Sequence, residues 1–198
     1  GASQLDGSYS ICYGAWELEN LPSRLSDSSL FDEYWGISQF VADSAKLVID
    51  KPVIAMPLPV DFSHPDKLYN RSTFGLDEDR FYFLFTYCVD STVNRKNPMA
   101  VIRAFQKAFP KFNSRTGLVL KAKVRQANAS NRELQSEIRE MANSDDRIIL
   151  IEENMSICKV KSLYINIDCY VSLHRSEGFG LTIAEAMGYG KPTIATGY

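Results

Sequence analysis

The feature that most constrains this chain is an apolar run followed by a glycine turn and a helical pattern. The run Cys169-Tyr170-Val171-Ser172-Leu173 predicts a strand, Glu177-Gly178-Phe179-Gly180 predicts a turn, and residues 181–187 have helical periodicity. A strand, a glycine turn and a helix in this order leave free backbone N–H groups at the helix start, where they bind anions. Glycine also lets the main chain approach a ligand closely, because it has no Cβ atom. The segment therefore predicts a phosphate-binding turn.

Two carboxylates flank this turn. Glu177 lies before it, and Glu185 lies about one turn into the helix, where the tilt of the Cα–Cβ bond directs it back toward the bound anion. The alternative for Glu177 is a helix-start carboxylate favoured by the helix dipole. The alternative for Glu185 is solvent exposure, although its neighbours Ala184 and Ala186 are small and apolar, and a carboxylate in that setting usually has a hydrogen-bonding role. An anion between two carboxylates fits a sugar nucleotide better than a bare phosphate.

Strand and helix patterns alternate along the rest of the chain. Strand patterns occupy residues 81–87, 117–122, 147–151 and 170–173. Helical patterns occupy residues 97–109, 131–141 and about 162–165. This alternation predicts parallel βαβ units with right-handed crossovers, and so a Rossmann-like parallel sheet with helices on both faces. In such α/β sheets, ligands bind at the carboxyl ends of the strands. A strand at 33–37, a helix capped by Ser38 and an extended run at 52–60 predict a partial second α/β unit at the N-terminus.

The chain divides into three parts by composition. We interpret residues 1–61 as the remnant of an N-terminal domain, residues 62–80 as a linker because of their polar and proline-containing pattern, and residues 81–198 as a ligand-binding domain truncated at its C-terminus. The sequence stops just after the strand-like run at 193–196, and the aromatic segment at 9–19 has no clear start. We therefore expect an excised piece of a longer protein.

Composition excludes several classes of function. The net charge is 22 − 24 = −2 without a dense basic block, which argues against nucleic acid as a partner. No apolar run approaches the roughly 18 to 20 residues of a membrane span, and no signal peptide is recognisable. The four cysteines have no metal-ligand spacing, so we expect reduced, buried thiols in a cytoplasmic protein. Neither histidine belongs to a pattern for a metal site or a catalytic triad.

Basic residues near two strand ends are candidate phosphate ligands. Arg95 and Lys96 precede a helix at the same sheet edge as the glycine turn, and two cations there could neutralise a diphosphate. The alternative is an ordinary solvated pair. Lys121, at the end of an otherwise apolar strand, is a weaker candidate, and its alternative is a lysine whose head reaches out of the sheet end.

Two further candidates follow later strands. Met155 could pack on a nucleobase, with the backbone around it reading the base edge, or its loop could be a simple connection in which Ser156 caps a helix. His174 could contact a sugar hydroxyl or a phosphate, or it could hydrogen-bond within its own loop.

Taken together, these motifs resemble a known family. Glu177-Gly178-Phe179-Gly180-Leu181 with Glu185 resembles the E-x7-E motif of group 1 glycosyltransferases, which are retaining enzymes with the GT-B fold. Residues 171–176 and 185–192 match the same block, residues 95–98 resemble the basic segment of that family's donor-binding domain, and residues 16–18, 38–42 and 57–61 resemble the end of its acceptor domain. The likeness spans nearly the whole chain. It implies that residues 1–61 are what remains of the acceptor domain, whose larger part is missing, and that residues 81–198 bind the donor.

The resemblance also implies roles for single residues. Glu185 would bind the ribose hydroxyls, Glu177 would contact the transferred sugar, and Lys96 with Arg95 would stabilise the departing diphosphate. The distal phosphate would be held by the amides of Phe179, Gly180 and Leu181. Many members carry an arginine six residues before the lysine, where this chain has Asp90. Arg95 is the expected substitute.

The implied reaction is the transfer of a sugar from a nucleotide-sugar donor to a hydroxyl of a saccharide or lipid-linked acceptor, as in polysaccharide biosynthesis. It would proceed with retention, without metal or cofactor, and this fragment alone is expected to be inactive. Two alternatives stay open: a sugar-nucleotide epimerase of the same architecture, and a non-catalytic nucleotide-binding α/β module.

Overall fold

The structure is a computed structural model that describes residues 8–23, 27–89, 93–112, 115–124 and 129–197. By its internal contacts the chain forms two compact units. The first unit comprises Gly1–Pro59 and Ser176–Leu181, and the second comprises Val60–Arg175 and Thr182–Tyr198. None of the helices in the described residues is long and apolar enough to cross a membrane.

The first unit is built on a three-stranded parallel sheet. Its strands β1 (Ile11–Gly14), β2 (Glu33–Gly36) and β3 (Val53–Ala55) lie in this order, and α1 (Gln39–Lys46) connects β2 to β3. Ser38 caps α1, since its hydroxyl accepts a hydrogen bond from the backbone N–H of Val41 at 3.2 Å. This confirms the cap that the sequence predicts. Buried side chains from the helix and β2 form the core, among them Tyr34 and Val41.

The second unit contains a five-stranded parallel sheet in the order β6-β5-β4-β7-β8. The strands are β4 (Phe81–Cys88), β5 (Thr116–Lys123), β6 (Ile148–Ile151), β7 (Cys169–Ser172) and β8 (Thr193–Ala195). The helices are α2 (Val93–Lys96), α3 (Pro98–Ala108), α4 (Ala129–Asn143), α5 (Ile157–Asn166) and α6 (Leu181–Gly188). The chain runs from β4 outward to β5 and β6, then returns to place β7 on the other side of β4.

Alternate side chains of β4 divide the core between two faces of the sheet. Phe85 and Tyr87 are buried with apolar side chains of α3 and α4, whereas Tyr82 and Leu84 are buried with those of α5 and α6. Strands covered on both faces are expected to be almost continuously apolar, which is the pattern of residues 81–87. The predicted Rossmann-like sheet with helices on both faces is thus confirmed.

Residues 62–80, for which the sequence suggests a linker, belong to the second unit by their contacts. The segment forms a short 3₁₀ helix at Arg71–Phe74, and Phe74 and Leu76 are buried in the core beside α5. The Arg71 guanidinium donates two hydrogen bonds to Asp168, at 2.9 and 3.0 Å. The segment has few apolar residues, so its sequence does not suggest that it packs on a core. In the structure these apolar residues and the ion pair hold it against the second unit.

Candidate active site

The second unit has a cavity of about 520 Å³ at the carboxyl ends of β4, β5 and β6. It lies beside the point where the strand order reverses between β4 and β7. Parallel α/β sheets bind ligands at this place, because the two neighbouring crossovers leave the sheet in opposite directions and open a crevice. The volume is in the range of about 300 to 1,000 Å³ that small-molecule sites have.

At the cavity, the side chains on one sheet face change from mostly apolar to mostly polar. On the face covered by α5, the last two side chains of β4 are Thr86 and Cys88, and the last two of β5 are Lys121 and Lys123. In the parallel register Thr86 pairs with Lys121 and Cys88 pairs with Lys123. All four line the cavity. Two lysines therefore enter the site from one strand, at positions that point to the same face.

Lys121 is buried, with 8% of its surface exposed. Its ammonium group donates a hydrogen bond to the carbonyl oxygen of Ala122 at 2.7 Å. Desolvation lowers the pKa of Lys121 below its ordinary value, and the charge of Glu153 partly opposes this. A buried ammonium group is costly unless an anion compensates it. The position of Lys121 therefore favours an anionic ligand in the cavity.

Lys96 lines the same cavity from the end of α2. The basic segment is tied to the residues after β7 by two hydrogen bonds. The Arg175 N–H donates to the Arg95 carbonyl at 2.8 Å, and the Asn97 side-chain amide donates to the Leu173 carbonyl at 2.9 Å. Among the described residues, the cavity lining includes Lys96 but not Arg95. Asp90, where the family resemblance suggests an arginine, lies outside the described residues.

Glu185 brings a carboxylate to the cavity from α6. Desolvation raises its pKa, and a hydrogen bond with the Tyr164 hydroxyl lowers it in part. Tyr164 is buried and lines the cavity as well, and burial raises its pKa well above the ordinary value. The structure thus brings together Lys96, Lys121 and Glu185, three of the residues that the sequence suggests for the site.

Apolar side chains complete the cavity near the start of α5. Met155, Ile157 and Val160 line it, which is where the sequence suggests a contact with a nucleobase. Ser156 caps α5, since its hydroxyl accepts from the backbone N–H of Lys159 at 3.3 Å. The cap that the sequence analysis leaves as the alternative is therefore present, and Met155 faces the cavity beside it.

The glycine turn belongs by its contacts to the first unit. A Cβ atom on Gly178 would collide with the carbonyl oxygen of Trp16, and the Gly178 carbonyl accepts a hydrogen bond from the Ser38 hydroxyl. Gly180 has a φ of 80°, a left-handed conformation that glycine adopts without strain. Close packing of the turn on its own unit therefore requires a glycine at 178, in addition to any role toward a ligand. Glu177 and Phe179 are partly exposed, and Leu181 is exposed.

His174 is buried in the second unit, and its Nδ1 lies 3.0 Å from the Ser172 hydroxyl oxygen in a hydrogen bond. Of the two possibilities for this histidine, the structure shows the contact within its own segment. Within the described residues, no group of three or more His, Cys, Asp or Glu side chains is placed to hold a metal ion.

Sequence reasoning missed several residues that line the cavity: Thr86, Lys123, Tyr164 and Thr182. Two of them leave a signal in the sequence. Thr86 interrupts an apolar strand, and Lys121 and Lys123 stand two residues apart, so they share one face of a strand. Tyr164 and Thr182 carry no such signal, because their helices approach the cavity only in the folded chain.

Three solved structures with a similar fold are distant from this chain in sequence. A UDP-forming α,α-trehalose-phosphate synthase from Burkholderia xenovorans has a TM-score of 0.72 at 11% identity, covering 93% of this chain and 52% of that one. A sucrose-phosphate synthase from Thermosynechococcus elongatus has a TM-score of 0.63 at 21% identity, covering 83% and 40%. WaaG, a glycosyltransferase involved in lipopolysaccharide biosynthesis, has a TM-score of 0.64 at 14% identity, covering 86% and 45%. This chain thus spans about half of these proteins or less, and the likeness shows a shared fold.

The sequence comparisons give a more specific result. No curated protein matches the chain. The family described as glycosyl transferases group 1 matches residues 69–198, which contain all of the described residues that line the cavity. The match covers more than half of the sequence, and the α/β fold agrees with it. The chain belongs to the group 1 glycosyltransferase family.

Proposed function

We propose that this chain carries the donor-binding part of an enzyme that transfers a sugar from a nucleotide-sugar donor to a hydroxyl group of a saccharide or lipid-linked acceptor. One observation carries the proposal: Lys96, Lys121 and Glu185 line a single cavity at the switch point of the sheet. Cations and a carboxylate in one cavity suit a ligand that has both an anionic group and hydroxyl groups. A nucleoside diphosphate has both.

Each wall of the cavity suits one part of such a donor. Lys96 and Lys121 would bind the diphosphate as point charges. Glu185 would accept hydrogen bonds from the two ribose hydroxyls, and its partly buried carboxylate makes such bonds strong. Met155 would pack on the base.

The proposed mechanism is electrostatic. As the bond between the anomeric carbon and the diphosphate oxygen breaks, negative charge builds on the leaving diphosphate. Lysines held in place before the reaction stabilise that charge and lower the barrier. The oxygen of the acceptor hydroxyl forms the new bond to the anomeric carbon, and the proton of that hydroxyl passes to the departing diphosphate. Retention of configuration and independence of metal are proposed from the family resemblance.

The family motif assigns donor-binding roles to further residues, which lie in the glycine turn. Glu177 would contact hydroxyls of the transferred sugar, and the amides of Phe179, Gly180 and Leu181 would hold the distal phosphate. This part of the proposal rests on the spacing of Glu177 and Glu185 in the motif and on the left-handed conformation of Gly180.

Calorimetric titration with UDP, GDP and ADP tests the donor site on this chain. We expect one of the three to bind, and we expect Glu185→Gln to weaken it about tenfold, since two hydrogen bonds to a charged group become weaker. The matched control is Glu137→Gln, because Glu137 is exposed on α4 and should leave binding unchanged. Absence of binding by all three nucleotides would refute the proposal.

The transfer reaction requires an enzyme with both domains. A longer protein containing this chain should release nucleoside diphosphate from the preferred sugar nucleotide only when an acceptor is present. Release at the same rate without acceptor would contradict sugar transfer and indicate hydrolysis.

A further inference from the structure

A stacked pair of tyrosines lies beside Glu185, where α5 and α6 pack on the sheet. Tyr164 of α5 is 3% exposed, and its ring stacks on that of Tyr189 with 5.9 Å between the centroids and 18° between the planes. Tyr189 follows Glu185 by four residues, and its backbone N–H donates to the Glu185 carbonyl at 3.0 Å. Side chains four residues apart on a helix lie on the same face. The stacked pair therefore places Tyr164 next to the Glu185 side chain.

The hydroxyl of Tyr164 is hydrogen-bonded to the carboxylate of Glu185, and both side chains line the cavity. Burial raises the pKa of Tyr164 well above its ordinary value, so the hydroxyl keeps its hydrogen and is the donor. A carboxylate has about four lone-pair sites, of which this bond uses one. The other sites are available to a ligand in the cavity.

A glutamate side chain is flexible, so a partner is needed to hold its carboxylate in one orientation. Fixing such a side chain at the moment of binding costs conformational entropy, whereas a partner that is present beforehand removes this cost. The Tyr164 ring suits the task, because it stacks on Tyr189 and packs against Tyr170 at a centroid distance of 5.9 Å. A hydrogen bond from this buried ring holds the carboxylate in place before the ligand arrives.

We infer that Tyr164 is a positioning residue that acts through Glu185: its hydroxyl holds the carboxylate in the orientation that accepts hydrogen bonds from the ribose hydroxyls of the bound nucleotide. The inference rests on the proposed function and adds to it a selectivity for ribonucleotides over 2′-deoxyribonucleotides. A phenylalanine would fill the same core position. Positioning of Glu185 therefore gives the hydroxyl of Tyr164 a role that packing does not require.

Other charged groups also act on the Glu185 carboxylate. The charge of Asp61 raises its pKa and the charge of Lys161 lowers it, and these two residues form an ion pair at 2.8 Å. Further titratable groups that pack near Glu185 or line the same cavity are Tyr170, Tyr189, Cys88, Lys96, Lys121 and Lys123. Tyr164→Phe leaves all of these groups in place. A change in the pKa of Glu185 in this variant therefore reports the lost hydrogen bond.

Calorimetric titration of this chain with paired nucleotides measures the selectivity. The probes are the tightest of UDP, GDP and ADP and its 2′-deoxy counterpart, because the ratio of their two Kd values isolates the ribose contact from the contacts to phosphate and base. We expect wild type to bind the ribonucleotide about tenfold more tightly, and Tyr164→Phe to reduce this ratio to about threefold or less.

Tyr82→Phe is the matched control for the loss of a buried tyrosine hydroxyl. Tyr82 is 2% exposed in the same core cluster as Tyr164, and its hydroxyl accepts a hydrogen bond from the Asp77 N–H at 3.0 Å. It lies near the amino end of β4, away from the cavity at the carboxyl ends of the strands. The ratio of Kd values should therefore stay at its wild-type value in this variant.

The pH dependence of the ratio separates positioning from packing. In wild type the ratio should fall as the pH drops through the pKa of Glu185, because a protonated carboxyl group makes weaker hydrogen bonds to the ribose. The bond from Tyr164 lowers that pKa, so Tyr164→Phe should raise it and the ratio should fall at a higher pH. In the Glu185→Ala background, Tyr164→Phe should not change the ratio further, since no carboxylate is left to position. A wild-type midpoint in Tyr164→Phe, or a further loss in the Glu185→Ala background, would overturn the inference.

The outcomes separate the two proposals. If the wild-type chain binds none of the nucleotides, the proposed function fails. If it binds a ribonucleotide and Tyr164→Phe has the wild-type ratio, the inference alone fails. Equal affinity of wild type for the ribo and the deoxy form also overturns the inference, as does an equal fall of the ratio in Tyr82→Phe, because the effect would then come from lost stability.

Should Tyr164→Phe unfold by circular dichroism, 3-fluorotyrosine at position 164 gives the same test. This residue has nearly the same shape as tyrosine and is a stronger hydrogen-bond donor, so it should lower the pKa of Glu185. The pH at which the ratio falls should then be lower than in wild type, and an unchanged midpoint would overturn the inference.

Discussion

Replacement of Lys121 by methionine should affect stability and nucleotide binding in opposite directions. The Lys121 side chain is 8% exposed and lies on a sheet face whose preceding side chains are apolar. Its ammonium group makes a hydrogen bond to Ala122, and desolvation lowers its pKa, so the folded protein disfavours the charged form. Methionine keeps the length of the side chain and removes the charge. We expect the free energy of unfolding without ligand to rise by about 0.5–2 kcal/mol.

The same substitution should weaken the binding of a nucleoside diphosphate. Loss of a charged hydrogen-bond donor to a diphosphate costs about 1.5–3 kcal/mol, which is about a tenfold to hundredfold increase in Kd. Urea unfolding measures the stability change, and calorimetric titration with the preferred nucleoside diphosphate measures affinity. Lys107→Met is the matched control, because Lys107 is exposed on α3, and it should alter neither quantity.

The pH dependence of stability gives a second check. Because the pKa of Lys121 is lowered in the folded state, the unfolded chain holds this proton to higher pH than the folded chain does. Wild-type stability therefore rises as the pH increases from the lowered pKa toward the ordinary value of 10.5, and the advantage of Lys121→Met shrinks over that window. A variant that is less stable than wild type at neutral pH, or one that binds the nucleotide as wild type does, would refute the reasoning.

Three further substitutions probe the scaffold. Thr116→Val should raise the free energy of unfolding by about 1 kcal/mol in urea titrations, because the buried Thr116 hydroxyl has no hydrogen-bond partner among the described residues. Arg147→Met should lower it by about 3–5 kcal/mol, since it leaves Asp145 buried without its ion pair at 2.7 Å, yet the Kd for nucleotide should stay unchanged. Ser38→Ala should cost about 0.5–2 kcal/mol in thermal unfolding through the lost cap of α1, and no loss would contradict the hydrogen bond to Val41.

The sequence predicts the strands of the second unit well, because burial on both faces makes them almost continuously apolar. It predicts helix α5 poorly. The pattern suggests a short helix near Ser162–Ile165, whereas the structure shows Ile157–Asn166. The extra turns begin at the cap of Ser156 and include exposed positions such as Ile157. An exposed isoleucine weakens the amphipathic pattern, so the pattern does not indicate where the helix begins.

Two residues of the candidate site are predictable because each contradicts its local pattern. Lys121 is a charge in an apolar strand, and Glu185 is a carboxylate in a small, apolar helix. Thr182 and Tyr164 obey their local patterns, and they meet the cavity because α5 and α6 pack on the same sheet face. That packing depends on strand order and register, which no local pattern contains.

Charged side chains have different partners at the amino ends and at the carboxyl ends of the strands in the second sheet. At the amino ends of the strands, Arg71 makes a bidentate ion pair with Asp168 just before β7. Arg147 makes an ion pair with the buried Asp145 just before β6. In each pair the two charges compensate each other within the fold. Removal of one partner should therefore lower the free energy of unfolding and leave the ligand affinity unchanged. At the carboxyl ends of the strands, Lys121 lines a cavity instead, and its burial lowers its pKa. A charge that destabilises its own fold is expected where a ligand supplies the compensation, so the opposite responses of Arg147 and Lys121 to substitution are the sharpest test of the proposed donor site.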